Sequence, residues 1–297
     1  MVPSDILPPF LEGTSVEKEQ ALPPTWQGWL QQNLARGCLP ADMLPVMTAG
    51  GIAEHVARAA LGLPVSEPHP ALRDPYRYET SRLASGARIN AAGHMVDVVA
   101  RVALPVVAIL DNVLSQSECD ELIAMARSQM QRSKVVDEKS GALRDDPSRT
   151  SQGAVIPLGC SPLVEALDAR IAALMGLPVS HGEPLQVLRY GEGGEYQPHF
   201  DYFPPDQPGA EAVLAIGGQR VSTLVVYLAA PEEGGTTDFP EIDLQVVPKQ
   251  GRAVYFEYAN SAGQVDRLSL HAGEPVVRGE KWMATRWMRE RPYRSHP

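Results

Sequence analysis

Between residues 185 and 287 the chain is broken into short apolar runs closed by Gly- and Pro-bearing segments, and this pattern restricts what it can fold into more than any other. The runs cover 185–190, 221–228, 244–247, 253–258, 268–270 and 282–287. Each has the length of a strand and is rich in Val, Leu, Tyr or Phe, so the segment predicts an antiparallel sandwich or barrel. The 27 Pro and 25 Gly of the 297 residues agree, because both interrupt helices and populate turns.

Residues upstream read differently. A proline-rich entry (Pro3, Pro8, Pro9, Pro23, Pro24) leads to a helical pattern capped by Thr25, with Trp26, Leu30 and Leu34 four apart and Gly37 at its end. A second pattern runs through Ile52, Val56, Ala59 and Ala60 to Gly62 and Pro64. Residues 1–100 are therefore expected to form a small helical accessory region, with 69–82 as linker, beside a main domain over 101–297. Within 89–109 strands are expected, with a break at Pro105. Ser115 and Glu118 have capping-box spacing, and Ser161, Pro162 and Gly176 bracket an apolar stripe of Val164, Leu167, Ile171 and Leu174. The stretch 132–149 reads as a polar loop. The expected class is mainly β (α+β), a strand core with flanking helices.

The formal charge of -10, with no Lys/Arg block, disfavours nucleic acid as a partner. No stretch approaches the ~20 apolar residues of a membrane span. Cys38, Cys119 and Cys160 are odd in number and contain no C-x-x-C pair, which argues against a disulfide framework or zinc knuckle and fits a reducing cytoplasm. The start, with Pro3, Asp5, Pro8, Pro9 and Glu12, lacks the basic end and apolar run of a signal peptide. The sequence does not indicate an oligomeric state.

His199 and Asp201 stand two apart at the end of a β-like run, so both can face one point. With seven His in the chain the pair needs company. His271, at the end of another short run, supplies a third donor. Two imidazoles and a carboxylate on one side of an octahedron leave three positions open, a set suited to Fe(II) and unlike a closed structural zinc site. Ten residues on, Lys281 alternates with Met283, Thr285 and Trp287. A cation on an inward apolar face is costly unless paired, as with a dicarboxylate cosubstrate, whereas a sheet edge that curls outward would leave it solvated.

These motifs resemble those of the prolyl 4-hydroxylase-like 2-oxoglutarate oxygenases. The likeness rests on residues 188–201, 220–228, 234–240, 248–251 and 271–276 and on Lys281-Trp282, and it extends from about 104 to 291. It implies a double-stranded β-helix (jelly-roll) core using Fe(II), 2-oxoglutarate and O2, with ascorbate as reductant. His199, Asp201 and His271 would be the catalytic iron ligands, and Lys281 would hold the distal carboxylate of the cosubstrate. Tyr190 would stand near the cosubstrate, Thr223 and Tyr227 would line the same pocket, and Trp287 would sit close to Lys281. Arg149 resembles a residue at the substrate mouth, and Tyr202 opens the stretch next to the metal. The implied reaction hydroxylates an unactivated C–H bond while 2-oxoglutarate and O2 become succinate and CO2. The intact Asp201 carboxylate favours hydroxylation over halogenation.

Three readings of function follow. The first is hydroxylation of a prolyl or other amino-acid side chain, free or in a peptide. The second is oxygenation of a small non-amino-acid metabolite, and the third an inactive metal-binding barrel that serves as an interaction module. His55, His69, His94, His181 and His296 lack partners at ligand spacing, and Trp26/Trp29 reads as helix core. Gly191–Gly194 reads as a turn joining Tyr190 to His199. The segments 132–149 and 202–219 are candidate lids.

Overall fold

The computed structural model describes residues 22–49, 52, 54–63, 75–137 and 141–293. Pro3, Pro8, Pro9, His69 and His296 lie outside them. The chain divides into two compact units, Met1–Glu67 and Pro68–Pro297.

The first unit carries α1 (Pro24–Ala35), α2 (Pro40–Ala49) and α3 (Glu54–Ala60). Pro23, not Thr25, takes the N-cap position, and Pro24 opens the helix. Proline is favoured there because the first turn has no acceptor for an N–H. Trp26 and Trp29 meet edge-to-face at 5.2 Å and join Met43, Met47, Val56 and Leu61 in a small core.

The second unit begins well before residue 101. Strands β1 (Arg88–Ala91) and β2 (His94–Val102) pair with each other, and β2 pairs with β3 (Val107–Asp111) across the break at Pro105. Both therefore belong to the main sheet, which moves the expected boundary from 100 to 67. The described part of the expected linker is also anchored here: Ser81 Oγ and Arg82 N donate to Glu257 Oε1 at 2.6 and 2.8 Å.

Next come β4 (Gln131–Arg132), β5 (Lys134–Val136), β6 (Leu143–Asp145), β7 (Gln152–Ile156), β8 (Leu185–Tyr190) and β9 (Tyr196–His199). They are followed by β10 (Arg220–Ala229), β11 (Glu233–Gly234), β12 (Thr237–Phe239), β13 (Leu244–Val246) and β14 (Ala253–Glu257), and finally by β15 (His271–Gly273), β16 (Val276–Arg278) and β17 (Lys281–Arg289). A nine-stranded sheet runs β1-β2-β3-β14-β10-β17-β8-β7-β4, and a four-stranded sheet runs β13-β12-β15-β9. From β8 onward the chain passes back and forth between the two, placing β8, β10, β14 and β17 in one and β9, β12, β13 and β15 in the other. With every neighbour antiparallel, this is a double-stranded β-helix, the expected jelly roll.

Helices α4 (Gln116–Arg127) and α5 (Pro162–Met175) start as their caps predict, with the Ser115/Glu118 box formed in full and Ser161 Oγ accepting from Val164 N. Their apolar stripes, Leu122 and Ala126 with Leu167 and Ile171, join Leu224 and Val226 in the main core. Since Leu224 and Val226 alternate with Thr223, Val225 and Tyr227, the helices cover one face of the sheet and leave the other to the site.

Two local expectations fail. The 132–149 stretch holds the hairpin β5–β6 in place of an irregular loop. Residues 268–270 are not a strand: a 3-10 turn spans Arg267–Ser269, because Asp266 Oδ1 accepts from Leu268 N at 3.0 Å and Ser269 Oγ donates to Asp266 O at 2.7 Å. Such side-chain bonds compete with the strand ladder, which resumes at His271.

Candidate active site

Strand pairing brings the sequence-remote donors together. In the β9–β15 ladder His199 lies directly opposite His271, and their rings stand 4.3 Å apart. Asp201 follows just beyond β9, with Oδ1 3.8 Å from His199 Nε2 and Oδ2 3.7 Å from His271 Nε2. One donor atom from each of the three lies within 4.8 Å of the others, and among the described residues they form the one such His/Cys/Asp/Glu cluster.

Each ring is oriented by its own backbone. His199 Nδ1 donates to Gln197 O at 2.8 Å and His271 Nδ1 to Ser269 O at 3.0 Å, which leaves both Nε2 lone pairs facing Asp201. Burial, reinforced by the neighbouring His271, pushes the His199 imidazole down to about 3, so it is neutral and able to ligate. Burial raises the Asp201 carboxyl, but its neighbours His271, His199 and Arg220 and the hydrogen bond from the Thr223 hydroxyl outweigh it and hold the group below the usual carboxylate range. A monoanionic donor set of two imidazoles and one carboxylate, with no fourth protein ligand among the described residues, fits Fe(II) with open positions.

A cavity of about 920 Å³ surrounds this cluster. Its floor follows from strand alternation: Lys281, Met283, Thr285 and Trp287 of β17 lie opposite Tyr190, Leu188 and Gln186 of β8 on one side and Val225 of β10 on the other, and all line it. Lys281 is 1% exposed, pairs in register with Tyr190, lies 5.3 Å from that ring and donates to Gly235 O at 2.8 Å. Burial, only partly opposed by Glu274, brings its ammonium down to about 8. Gly235 has φ +68°, and a Cβ there would stand 3.2 Å from Lys281 Cδ, so the residue must be small for the lysine to pass. An ammonium with one carbonyl partner in a cavity lined by Tyr190 and Thr237 can receive a carboxylate.

The other sequence-predicted residues divide. Arg149 and Tyr202 line the cavity: Arg149 Nη2 donates to Gln186 Oε1 at 3.0 Å and its guanidinium covers Tyr196, while Tyr202 stacks on Phe200 at 4.6 Å. Thr223 and Tyr227 do not line it, contrary to expectation. Each stands behind the wall and bonds a residue that does, Thr223 to Asp201 at 2.7 Å and Tyr227 to Thr237 at 2.7 Å. Trp287 lines the cavity but is not near Lys281. Six residues of strand separate the two by roughly 20 Å, so they mark its opposite ends.

At the Trp287 end is a cluster the sequence reading missed. Glu183 accepts from Arg220 at 2.7 and 2.9 Å and from Arg289 Nε at 2.6 Å, and Arg220 lies 4.0 Å over the Trp287 ring. The signal was present: Arg220 and Arg289 end apolar strands, where a cation needs a counter-ion. Its partner came from a turn that no pattern marked. Tyr196, stacked on His199 at 3.5 Å, and Tyr258, 2.8 Å from Thr223 Oγ1, were also missed. Both candidate lid segments contribute walls, β5–β6 through Lys134 and Val136 and the 202–219 segment through Phe203 and through Val213 of α6 (Ala210–Leu214). The second is pinned at its neck, where Gln219 bonds both the N–H and the C=O of Phe203 at 2.8 Å.

A jelly roll enclosing two imidazoles, one carboxylate and a buried cation defines an oxygenase that uses iron and 2-oxoglutarate. Residues 185–289 match the 2OG-Fe(II) oxygenase superfamily, which spans β8 to β17. "Probable prolyl 4-hydroxylase 3" of Arabidopsis thaliana is 37% identical over 202 residues, 62% of this chain and 69% of its own. The "Prolyl 4-hydroxylase subunit alpha-1" of Gallus gallus is 37% identical over 186 residues, 63% of this chain and 36% of its own. A solved viral collagen prolyl hydroxylase from Paramecium Bursaria Chlorella virus-1, in complex with 2OG, is 30% identical, covers 62% of this chain and 95% of its own, and aligns with a TM-score of 0.49. This chain belongs to the prolyl 4-hydroxylase-like 2-oxoglutarate-Fe(II) oxygenases. It is a 2-oxoglutarate-dependent dioxygenase of the prolyl hydroxylase type, and its cofactors are Fe(II), 2-oxoglutarate and O2.

Proposed function

We propose that the chain hydroxylates a prolyl side chain within a peptide, with His199, Asp201 and His271 holding iron and Lys281 holding the distal carboxylate of 2-oxoglutarate. The observation that supports this reading is the extent of the cavity, which runs along the inner face of β17 from Lys281 to Trp287 and Arg289 and also takes in the three metal donors. A five-carbon diacid anchored on Lys281 and the metal occupies one limb. The other limb, lined by Arg149, Tyr196, Arg220 and Trp287 and roofed by two surface segments, has the length and the mixed aromatic and cationic lining that suit an extended peptide.

When bound, iron supplies the oxidising chemistry, reducing O2 as 2-oxoglutarate decarboxylates to succinate. The chain's own residues do the rest. The two Nδ1–H bonds fix the imidazoles, Lys281 orients the cosubstrate, and the β5–β6 and 202–219 segments limit water access. The three unpaired cysteines support a reducing compartment, the cytoplasm.

The test is succinate formation from 2-oxoglutarate with Fe(II), with ascorbate expected to stimulate, compared between proline-containing peptides and free proline. Peptide-dependent succinate with one oxygen added to the prolyl residue is expected. Free proline or a non-amino-acid metabolite turned over as efficiently as peptide would overturn the assignment.

A further inference from the structure

The two oxygens of the Asp201 carboxylate are treated differently by the protein. Oδ2 accepts a hydrogen bond from Thr223 Oγ1 at 2.7 Å, and Thr223 Oγ1 lies 2.8 Å from the hydroxyl of Tyr258. Oδ1 has no hydrogen bond among the described residues; it lies 3.8 Å from His199 Nε2, much as Oδ2 lies 3.7 Å from His271 Nε2, so the difference between the two oxygens is the bond from Thr223. Thr223 and Tyr258 are 0% exposed and Asp201 7%, so water does not compete for these bonds.

Proton counting sets the direction of the chain. A threonine hydroxyl has one proton, and an ionised carboxylate can only accept. Thr223 must therefore donate to Asp201, and the Tyr258 phenol must donate to Thr223. With its lone pair engaged by Tyr258, Thr223 is held with its proton on Oδ2.

Tyr258 is itself held from several sides. Its ring packs 5.7 Å from Phe256 and 6.2 Å from Tyr202, and Phe256 stands edge-on to His271 at 4.7 Å. Its N–H donates to Val221 O at 3.1 Å, and its carbonyl accepts from Asp266 N at 2.9 Å. Alternation along 253–258 puts Phe256 and Tyr258 on the face turned to the metal donors, while Tyr255 and Glu257 bond each other at 2.8 Å on the opposite face.

From this arrangement we propose that Tyr258 and Thr223 are positioning residues that restrict Asp201 to ligation through one oxygen, Oδ1. The consequence is a count of open positions. A carboxylate bound through both oxygens would take a place needed for a chelating cosubstrate and O2, whereas one anchored at Oδ2 leaves three. The proposal rests on Asp201 being a metal ligand, and the experiment separates the two ideas.

The experiment uses the full chain with Co(II) as an air-stable probe of the iron site. Affinity is measured by competition with a chelating dye, coordination is read from the Co(II) visible bands, and the metal-free protein is melted in parallel. Thr223→Val keeps the shape and removes the hydroxyl, Thr223→Ser keeps the hydroxyl, and Tyr258→Phe removes only the phenol oxygen. Loss of a bond that orients a ligand costs metal affinity about 10- to 100-fold, the loss expected for Thr223→Val together with altered visible bands as the second carboxylate oxygen replaces a water. Thr223→Ser restores both, and Tyr258→Phe shifts them in the same direction by about fivefold, the worth of one hydrogen bond. A merely structural pair would lower the melting temperature of the metal-free protein and leave Co(II) affinity and spectrum alone. Asp201→Ala is the control: if it keeps wild-type Co(II) affinity, the ligand assignment falls. If Asp201→Ala loses Co(II) while Thr223→Val and Tyr258→Phe bind it with wild-type affinity and spectrum, the ligand assignment stands and the positioning role is refuted.

Discussion

Replacing Lys281 by Met should make the protein more stable and a poorer binder of 2-oxoglutarate. The ammonium is 1% exposed and has Gly235 O as its hydrogen-bond acceptor, and burial lowers it from 10.5 to about 8. At 1.36 kcal/mol per pH unit, carrying the buried charge with no anionic partner costs about 3 kcal/mol at neutral pH. Methionine removes that cost and leaves the Gly235 carbonyl without its donor, which returns about 1 kcal/mol. The net gain of about 2 kcal/mol corresponds to a Tm rise of roughly 4–8 °C for a unit of this size. The sign with pH is also determined. Between about 8 and 10.5 the unfolded chain holds a proton that the folded one has released, so wild-type stability rises through that window, and the penalty is fully present below it. The advantage of Lys281→Met should therefore be largest at pH 7 and shrink toward pH 10. Removing one partner of a buried charge pair costs about 3–5 kcal/mol, so 2-oxoglutarate should bind roughly 10²- to 10⁴-fold more weakly. Differential scanning calorimetry of metal-free protein at several pH values gives the first quantity, and calorimetric titration of 2-oxoglutarate gives the second. A variant that melts below wild type at pH 7 and binds the cosubstrate as tightly would refute the reasoning on both counts.

His199→Ala or Asp201→Ala should abolish peptide-coupled succinate formation, measured with saturating Fe(II), since each removes one of three converging donors; residual coupled turnover above background would contradict the ligand set. Replacing residues 134–145 with a short Gly-Ser turn should raise KM for peptide more than tenfold and leave that for 2-oxoglutarate within about twofold, because the hairpin borders the cavity away from Lys281. Glu183→Gln should cost about 3–5 kcal/mol in urea denaturation, because the carboxylate it neutralises is shared by the partly buried Arg220 and the buried Arg289. Unchanged stability would mean that the two guanidiniums find other partners.

Much of the core was legible in the residues because it depends on local rules. Alternation placed β8, β10, β14 and β17 within a residue or two, and the caps at Ser115 and Ser161 are set by side-chain bonds no more than three residues away. The metal donors could be read from His199 and Asp201 sharing a strand face and from His271 at the end of another run. Errors arose where a local pattern was ambiguous: polar residues in 132–149 concealed a hairpin, and Asp266 turned 268–270 away from the ladder.

What the sequence determined by itself was therefore the chemistry available and the face each side chain takes along its own strand. Only the tertiary structure decided distance. Lys281 and Trp287 share a face yet stand at opposite ends of the cavity, Thr223 and Tyr227 point inward but stop one residue behind its wall, and Tyr258 reaches Thr223 only because β14 lies beside β10. A period-two pattern carries orientation modulo a half-turn, whereas the order of strands across the sheet, and so which face meets which, is set by long-range pairing that no single stretch of chain records.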